Sequence, residues 1–302
     1  MHTCHLNPYA ARRILWVGDR ELGPFEPLAY TYQQAADLIT DNIINFLHGP
    51  SGNPPQDPFQ RIKDNWTACS LSCLDRIVEH PWVLQRSEQD LLLLYFEYFN
   101  TMIFGGGLNA LRCTLELVEP DAGQKERKVL GTTIDIRKRL DVTKHNIRAH
   151  IRVFFRQQPK PETTEQKVQL LRDYLGTMLH EMVHAFFSIY VCKCDDRCWK
   201  HHLEYKESGV TGHGEPFLTA SRSIERLVRY GLRLDVRLGR EEALALELVT
   251  SNRELWYADL EKLGLDEDDV QREMDWYGKL LEKKEEEKEE KELEFSDACM
   301  SI

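Results

Sequence analysis

The run Thr177-Met178-Leu179-His180-Glu181-Met182-Val183-His184-Ala185 is where helix geometry, packing and metal chemistry meet in this chain. A helix puts residues i and i+4 on one face, so His180 and His184 can close on a single metal ion. Glu181, beside the first histidine, can then lie against a bound water and take its proton. At about 100° per residue, Leu171, Leu175, Met178, Met182 and Phe186 form one apolar stripe. His180 and His184, with Asp173 and Thr177, fall on nearly the opposite side. Histidines inside the stripe would read as satisfied core residues; histidines opposite it read as ligands facing a cleft.

Working outward, Thr163 and Gln166 form a capping box after Pro161, and the helix they open is expected to run to about Val191. Upstream, Leu111–Val118 alternates as a half-buried strand does, and Val129–Ile136 and Ala149–Phe155 read as two more. Before them, helices are predicted over Thr31–His48, around Trp66–His80 and over Glu88–Phe104. Gly105-Gly106-Gly107 stops the last of these. The run from Gly49 to Pro55 reads as a linker, and Pro8, Pro24 and Pro27 break residues 1–30. The expected class is α+β, with a sheet of about three strands packed on the motif helix and helical extensions at both ends. The expected domains are an N-terminal extension over 1–87, the motif domain over 88–240 and an acidic helical tail over 241–302.

The acidic character is concentrated in that tail. Of the net charge of −11, residues 241–302 carry −13 from 21 acidic and 8 basic side chains, which leaves the rest near +2. The overall acidity therefore says little about what the motif domain binds. Leu280–Lys291 has little apolar face and reads as a solvated charged helix. The first residues lack a basic stretch followed by an apolar run, and no segment reaches the roughly 20 apolar residues of a membrane span. With eight cysteines and no secretion signal, the expectation is a reduced intracellular protein, nuclear or cytoplasmic, with no membrane partner.

Catalytic zinc usually has three protein ligands and one open position. A third histidine six residues past His184 is ruled out, because that position is Tyr190. The remaining candidates are Glu204, Glu207, His201, His202 and His213. His213 lies in Thr211-Gly212-His213-Gly214-Glu215-Pro216-Phe217, where flanking glycines favour a close backbone approach. For a second donor to a developing oxyanion, Tyr190 and Tyr205 are the candidates.

The chain resembles the SprT-like metalloproteases on three features taken together. These are His180-Glu181-Met182-Val183-His184, then Gly212-His213-Gly214, and upstream Phe99-Asn100 with the turn Phe104-Gly105-Gly106-Gly107. The likeness covers roughly residues 88–235. It implies a zincin-like fold, zinc held by His180, His184 and His213, and Glu181 as general base. It also implies protein substrates associated with or crosslinked to DNA. The spacer between His184 and Gly212 is longer than is typical of the family, and no paired Cys-x-x-Cys ribbon follows the region.

That spacer holds Cys192, Cys194, Cys198, His201 and His202, enough donors for a second, structural zinc, although the spacing is not that of a standard finger. Arg222, Arg226, Arg229 and Arg233 recur every three or four residues and are expected to share a helix face. Arg127–Lys160 holds 10 basic and 2 acidic residues. Both suit a phosphate backbone, and both are also what a solvated face looks like. The functional expectation is a zinc-dependent endopeptidase. The competing expectation is an inactive zinc-containing nucleic-acid-binding or adaptor protein, for which an intact Glu181 would have no use.

Overall fold

A computed structural model of the chain describes residues 25, 27–48, 88–110, 112–126, 129–136, 148–156, 163–192, 208–232, 234–255 and 258–300. Among these the chain is mostly helical with one three-stranded sheet, as an α+β reading expects. The linker after His48 and the helix anticipated around Trp66–His80 lie outside the described residues.

Helix α1 (Tyr32–His48) begins with a reciprocal cap at Thr31. Gln34 N–H donates to the Thr31 hydroxyl at 3.1 Å and Thr31 N–H to Gln34 Oε1 at 2.9 Å. Helix α2 (Glu88–Phe104) is apolar around most of its circumference, as suits a helix covered on several sides. It stops where Gly105 and Gly106 take positive φ. Buried Asn100 holds the turn, accepting from Gly106 N–H through its carbonyl and from Leu108 N–H through Oδ1 at 2.8 Å.

The sheet contains β1 (Cys113–Val118), β2 (Gly131–Ile136) and β3 (Arg148–Phe154), with the short helix α3 (Ala122–Glu126) between the first two. Their order is β1-β3-β2; β1 runs parallel to β3 and β2 antiparallel to it. Ala149, Ile151 and Val153 of the central strand are buried, so period-two alternation gives the sheet one covered face. That face packs on α4 (Thr164–Tyr190), which touches β3 and β2. The Thr163–Gln166 capping box is present at its start and Val191 caps its end, as the sequence predicts. Leu175, Met178, Met182 and Phe186 of the apolar stripe are buried, with Leu171 packed at the margin.

Helix α5 (Glu215–Arg226) packs against α1 and ends in a π-helical turn over Leu227–Gly231. The chain then crosses α4 on its way to α6 (Arg240–Thr250), α7 (Leu260–Leu263) and α8 (Glu267–Met300). The crossing over α4 is close: a Cβ on Gly176 would lie 2.1 Å from the Arg237 carbonyl oxygen. Residues from α1, α2, α4, α5, α6 and the sheet share one hydrophobic core. The boundary drawn at residue 240 from charge falls inside this packed body. Ala243, Leu244, Ala245 and Leu248 of α6 and Val270 at the start of α8 are buried in it, because acidic residues on the outer face of a helix do not prevent its inner face from packing. Glu282, Glu285, Glu286, Glu289 and Glu292, further along α8, are exposed.

Gly176→Ala is expected to cost about 3 kcal/mol of stability, because the clash is with backbone and cannot be relieved by a rotamer. Urea unfolding of the variant measures this, and an unchanged midpoint would contradict so close a crossing.

Candidate metal centre

One helix supplies two of the three histidines and a loop supplies the third. The Nε2 atoms of His180 and His184 are 3.2 Å apart, those of His184 and His213 3.0 Å, and those of His213 and His180 3.2 Å. Among the described residues this trio is the group arranged to hold a metal ion. A tetrahedral ion with nitrogen ligands at about 2.0–2.1 Å places those nitrogens roughly 3.3 Å apart, so the spacing fits.

Hydrogen bonds at the far side of two rings decide which nitrogen carries the proton. His180 Nδ1 lies 2.8 Å from the Leu238 carbonyl oxygen, which can only accept, so Nδ1 is protonated and Nε2 keeps its lone pair. In His213 the same state is set through a threonine. The Thr211 hydroxyl donates to Glu247 Oε2 at 2.6 Å, so its oxygen accepts from His213 Nδ1 at 2.9 Å. Again Nε2 is left bare. Neutral imidazoles are also what the surroundings favour. Burial pushes the His213 pKa down to about 3, with the His180 charge adding to it. Burial likewise lowers His180, and it lowers His184 well below the ordinary histidine value, with His213 and His180 contributing.

Each supporting group is itself held. Glu225 accepts from Leu238 N–H at 2.7 Å and pairs with Arg240 Nε at 2.6 Å, which fixes the segment whose carbonyl orients His180. Glu247, buried on α6, accepts from the backbone N–H groups of Val210 and Thr211 at 2.6 and 2.8 Å. Phe217 lies against all three imidazoles, with centroid separations of 4.6–4.9 Å. Of the two glycines beside His213, only Gly212 has positive φ (84°); Gly214 is extended and precedes α5.

Glu181 is buried between α4 and the edge strand β2. The Thr133 hydroxyl sits 2.8 Å from its Oε2 and 2.9 Å from its backbone carbonyl. A Cβ on Gly131 would lie 2.9 Å from Glu181 Cγ and 2.7 Å from the Thr177 methyl, so the strand can approach this closely only as glycine. Burial raises the Glu181 pKa from 4.5 to about 7, and the hydrogen bond from Thr133 opposes the rise.

The other expected site residues fare differently. Tyr190 is not available as an oxyanion donor: its hydroxyl is buried and donates to the Gly107 carbonyl at 2.9 Å. Tyr205, Glu204, Glu207, His201, His202, Cys194, Cys198 and Arg233 lie outside the described residues. Cys192 is buried just past the end of α4, its N–H donating to the Tyr30 carbonyl at 2.8 Å. The π-helical turn interrupts the spacing that aligned the arginines. Arg222 donates to the Lys262 carbonyl and Arg229 pairs with Asp235 at 2.6 Å, while Arg226 is exposed. Sequence reasoning missed Thr133, Thr211, Glu225 and Glu247, which carry no motif and act through contacts distant along the chain.

Thr211→Val is expected to weaken metal binding about 10- to 100-fold by cutting the link between Glu247 and His213. Competition with a chromophoric chelator reads this directly, and undiminished affinity would remove Thr211 from the centre. A second expectation concerns the metal-free protein. Because the folded pKa of Glu181 is raised, the folded state holds a proton that the unfolded chain releases, and stability falls as pH rises from about 4.5 to 7. Glu181→Gln lacks this penalty. Its stability should match wild type near pH 4 and exceed it by about 3 kcal/mol above pH 7. Chemical denaturation of chelator-treated protein across that range is the check, and a pH-independent difference would contradict the burial argument.

Comparison of the chain with protein-family models, with curated proteins and with solved structures returned no match.

Proposed function

We propose that the protein is a zinc-dependent endopeptidase of SprT-like type with a zincin-like catalytic body. The observation that carries this reading is a trio of neutral imidazoles with converging Nε2 atoms, next in sequence to a buried carboxyl group. Three neutral nitrogen donors suit zinc, and the absence of a fourth His, Cys or carboxylate in the trio, among the described residues, suits a site that keeps a position for water or substrate. A purely structural zinc would more often be closed by a fourth ligand.

Bound by His180, His184 and His213, zinc supplies Lewis acidity toward a water and a peptide carbonyl. The chain's own residues supply the rest. Glu181 accepts the proton of the attacking water on its carboxylate and returns it to the departing amine. Burial favours this exchange by moving the carboxyl pKa toward neutral, where taking up and releasing a proton are both accessible. The Thr133 hydroxyl orients the carboxylate through Oε2. Phe217 backs the imidazoles and keeps water from their inner side.

The likeness to the SprT-like family extends the proposal to substrates held on DNA. The described basic residues lend this less support than their spacing in sequence does. Arg152 is paired with Glu116 at 2.7 Å, and Arg222 and Arg229 are tied to their own partners. No described helix is long and apolar enough to cross a membrane.

The test is metal quantification together with a protease assay on wild type and Glu181→Gln, each with and without DNA. The expected result is one zinc per chain in both proteins from this centre, proteolysis in wild type, and a loss of about 10²-fold or more in the variant. Zinc without proteolysis in wild type would favour the adaptor reading instead. Stimulation by DNA that weakens with salt would support DNA-held substrates.

A further inference from the structure

The face of α4 that carries the histidines continues toward a recess. A cavity of about 310 Å³ is lined by Gln169, Arg172 and Asp173 of α4 and by Asp235 and Arg237 of the segment that crosses it. Positions 169, 173, 180 and 184 fall within an arc of roughly 60° around the helix. Seven to eleven residues at a rise of 1.5 Å set the recess about 10–16 Å from His180, a distance covered by about three to five residues of extended chain.

The charges in the recess are not equally committed. Asp235 Oδ1 is taken by Arg229, through Nε at 3.2 Å and NH2 at 2.6 Å, and Asp173 Oδ1 accepts from Gln169 Nε2 at 2.8 Å. The arginines, by contrast, have donors to spare. Nε of Arg172 is buried with no acceptor, as is Nε of the neighbouring Arg156, whose NH2 meets the Thr177 hydroxyl at 3.1 Å. Arg237 is exposed at the rim. The local field is positive: Arg229, then Arg237 and Arg172, hold the Asp235 carboxyl below the usual carboxylate range. Arg172 and Arg237 line the recess, and a carboxylate placed there gains a charge-assisted bond from a guanidinium.

We propose that this recess is a substrate subsite that receives the carboxylate of an aspartate or glutamate side chain, about three to five residues from the peptide bond at the histidines, with Arg172 and Arg237 as its recognising groups. The path of the chain rests on the peptidase reading; the anion preference rests on the recess alone. A singly charged carboxylate is favoured over a phosphate because Asp173 and Asp235 flank the cavity and oppose a second negative charge.

The experiment uses full-length Glu181→Gln protein and fluorescein-labelled peptides in which one glutamate is walked along an uncharged sequence, each with a glutamine counterpart. Fluorescence anisotropy should find binding about tenfold tighter for glutamate at one or two adjacent positions only. Arg172→Gln and Arg237→Gln, made singly, should each reduce that preference and leave the glutamine peptides unaffected. Equal binding of glutamate and glutamine peptides, or no peptide binding, overturns the subsite. Displacement of the peptide by a single-stranded oligonucleotide, lost in Arg172→Gln, overturns it in favour of phosphate. Cleavage by the wild type is scored separately. A preference without cleavage sinks the peptidase reading and keeps the subsite, while cleavage without preference does the reverse.

Discussion

Two imidazole nitrogens with bare lone pairs repel each other at 3.2 Å, and in this protein both His180 and His213 are held in that state. What fixes them is a pair of hydrogen bonds on the far side of the rings, one to a main-chain carbonyl and one to a threonine hydroxyl. A shared cation would relieve the repulsion, and the trio is one that could hold a metal ion. Much of the surrounding architecture serves these two bonds. The Leu238 carbonyl reaches His180 because the chain crosses α4 at Gly176, and Glu225 with Arg240 holds the crossing segment in place. Thr211 is oriented because Glu247 projects from α6 into the loop that precedes His213.

The sheet contributes at its edge strand. β2 approaches α4 at Gly131, and Thr133 two residues on meets Glu181 from the same face, as period-two alternation requires. Burial of Glu181 by this strand is what moves its proton affinity toward neutral. Helix α4 therefore works as a two-sided element. One side anchors it in the core through Leu175, Met178, Met182 and Phe186, and the other carries Asp173, Thr177, His180 and His184, which stay partly exposed.

A good deal of this was legible in the residues alone. The capping box at Thr163, the glycine stop after Phe104 and the three alternating strands are local signals, and each lies where local chemistry predicts within a residue or two. Local signals failed where an element answers to distant partners. Charge composition separated residues 241–302 from the body, yet α6 packs into the core and sends Glu247 to the loop that carries His213. Four arginines at helical spacing suggested one basic face, but a π-helical turn begins at Leu227, and Arg222 and Arg229 are bound elsewhere on the protein. Tyr190 is a candidate oxyanion donor by sequence; in the fold its hydroxyl is buried and donates to the Gly107 carbonyl.

Sequence by itself determined the helix that carries His180, Glu181 and His184, because a period of 3.6 residues puts both histidines on one side and the apolar stripe on the other. It also singled out His213 among the candidate third ligands, through the residues around it. Tertiary structure decided which ring nitrogens carry protons, which groups hold them there, and that Arg172 and Arg237 border a recess further along α4. The division has a physical cause. Periodicity and capping depend on neighbours along the chain, whereas protonation state and ligand geometry depend on whichever carbonyl, hydroxyl or charge the fold brings within hydrogen-bonding distance.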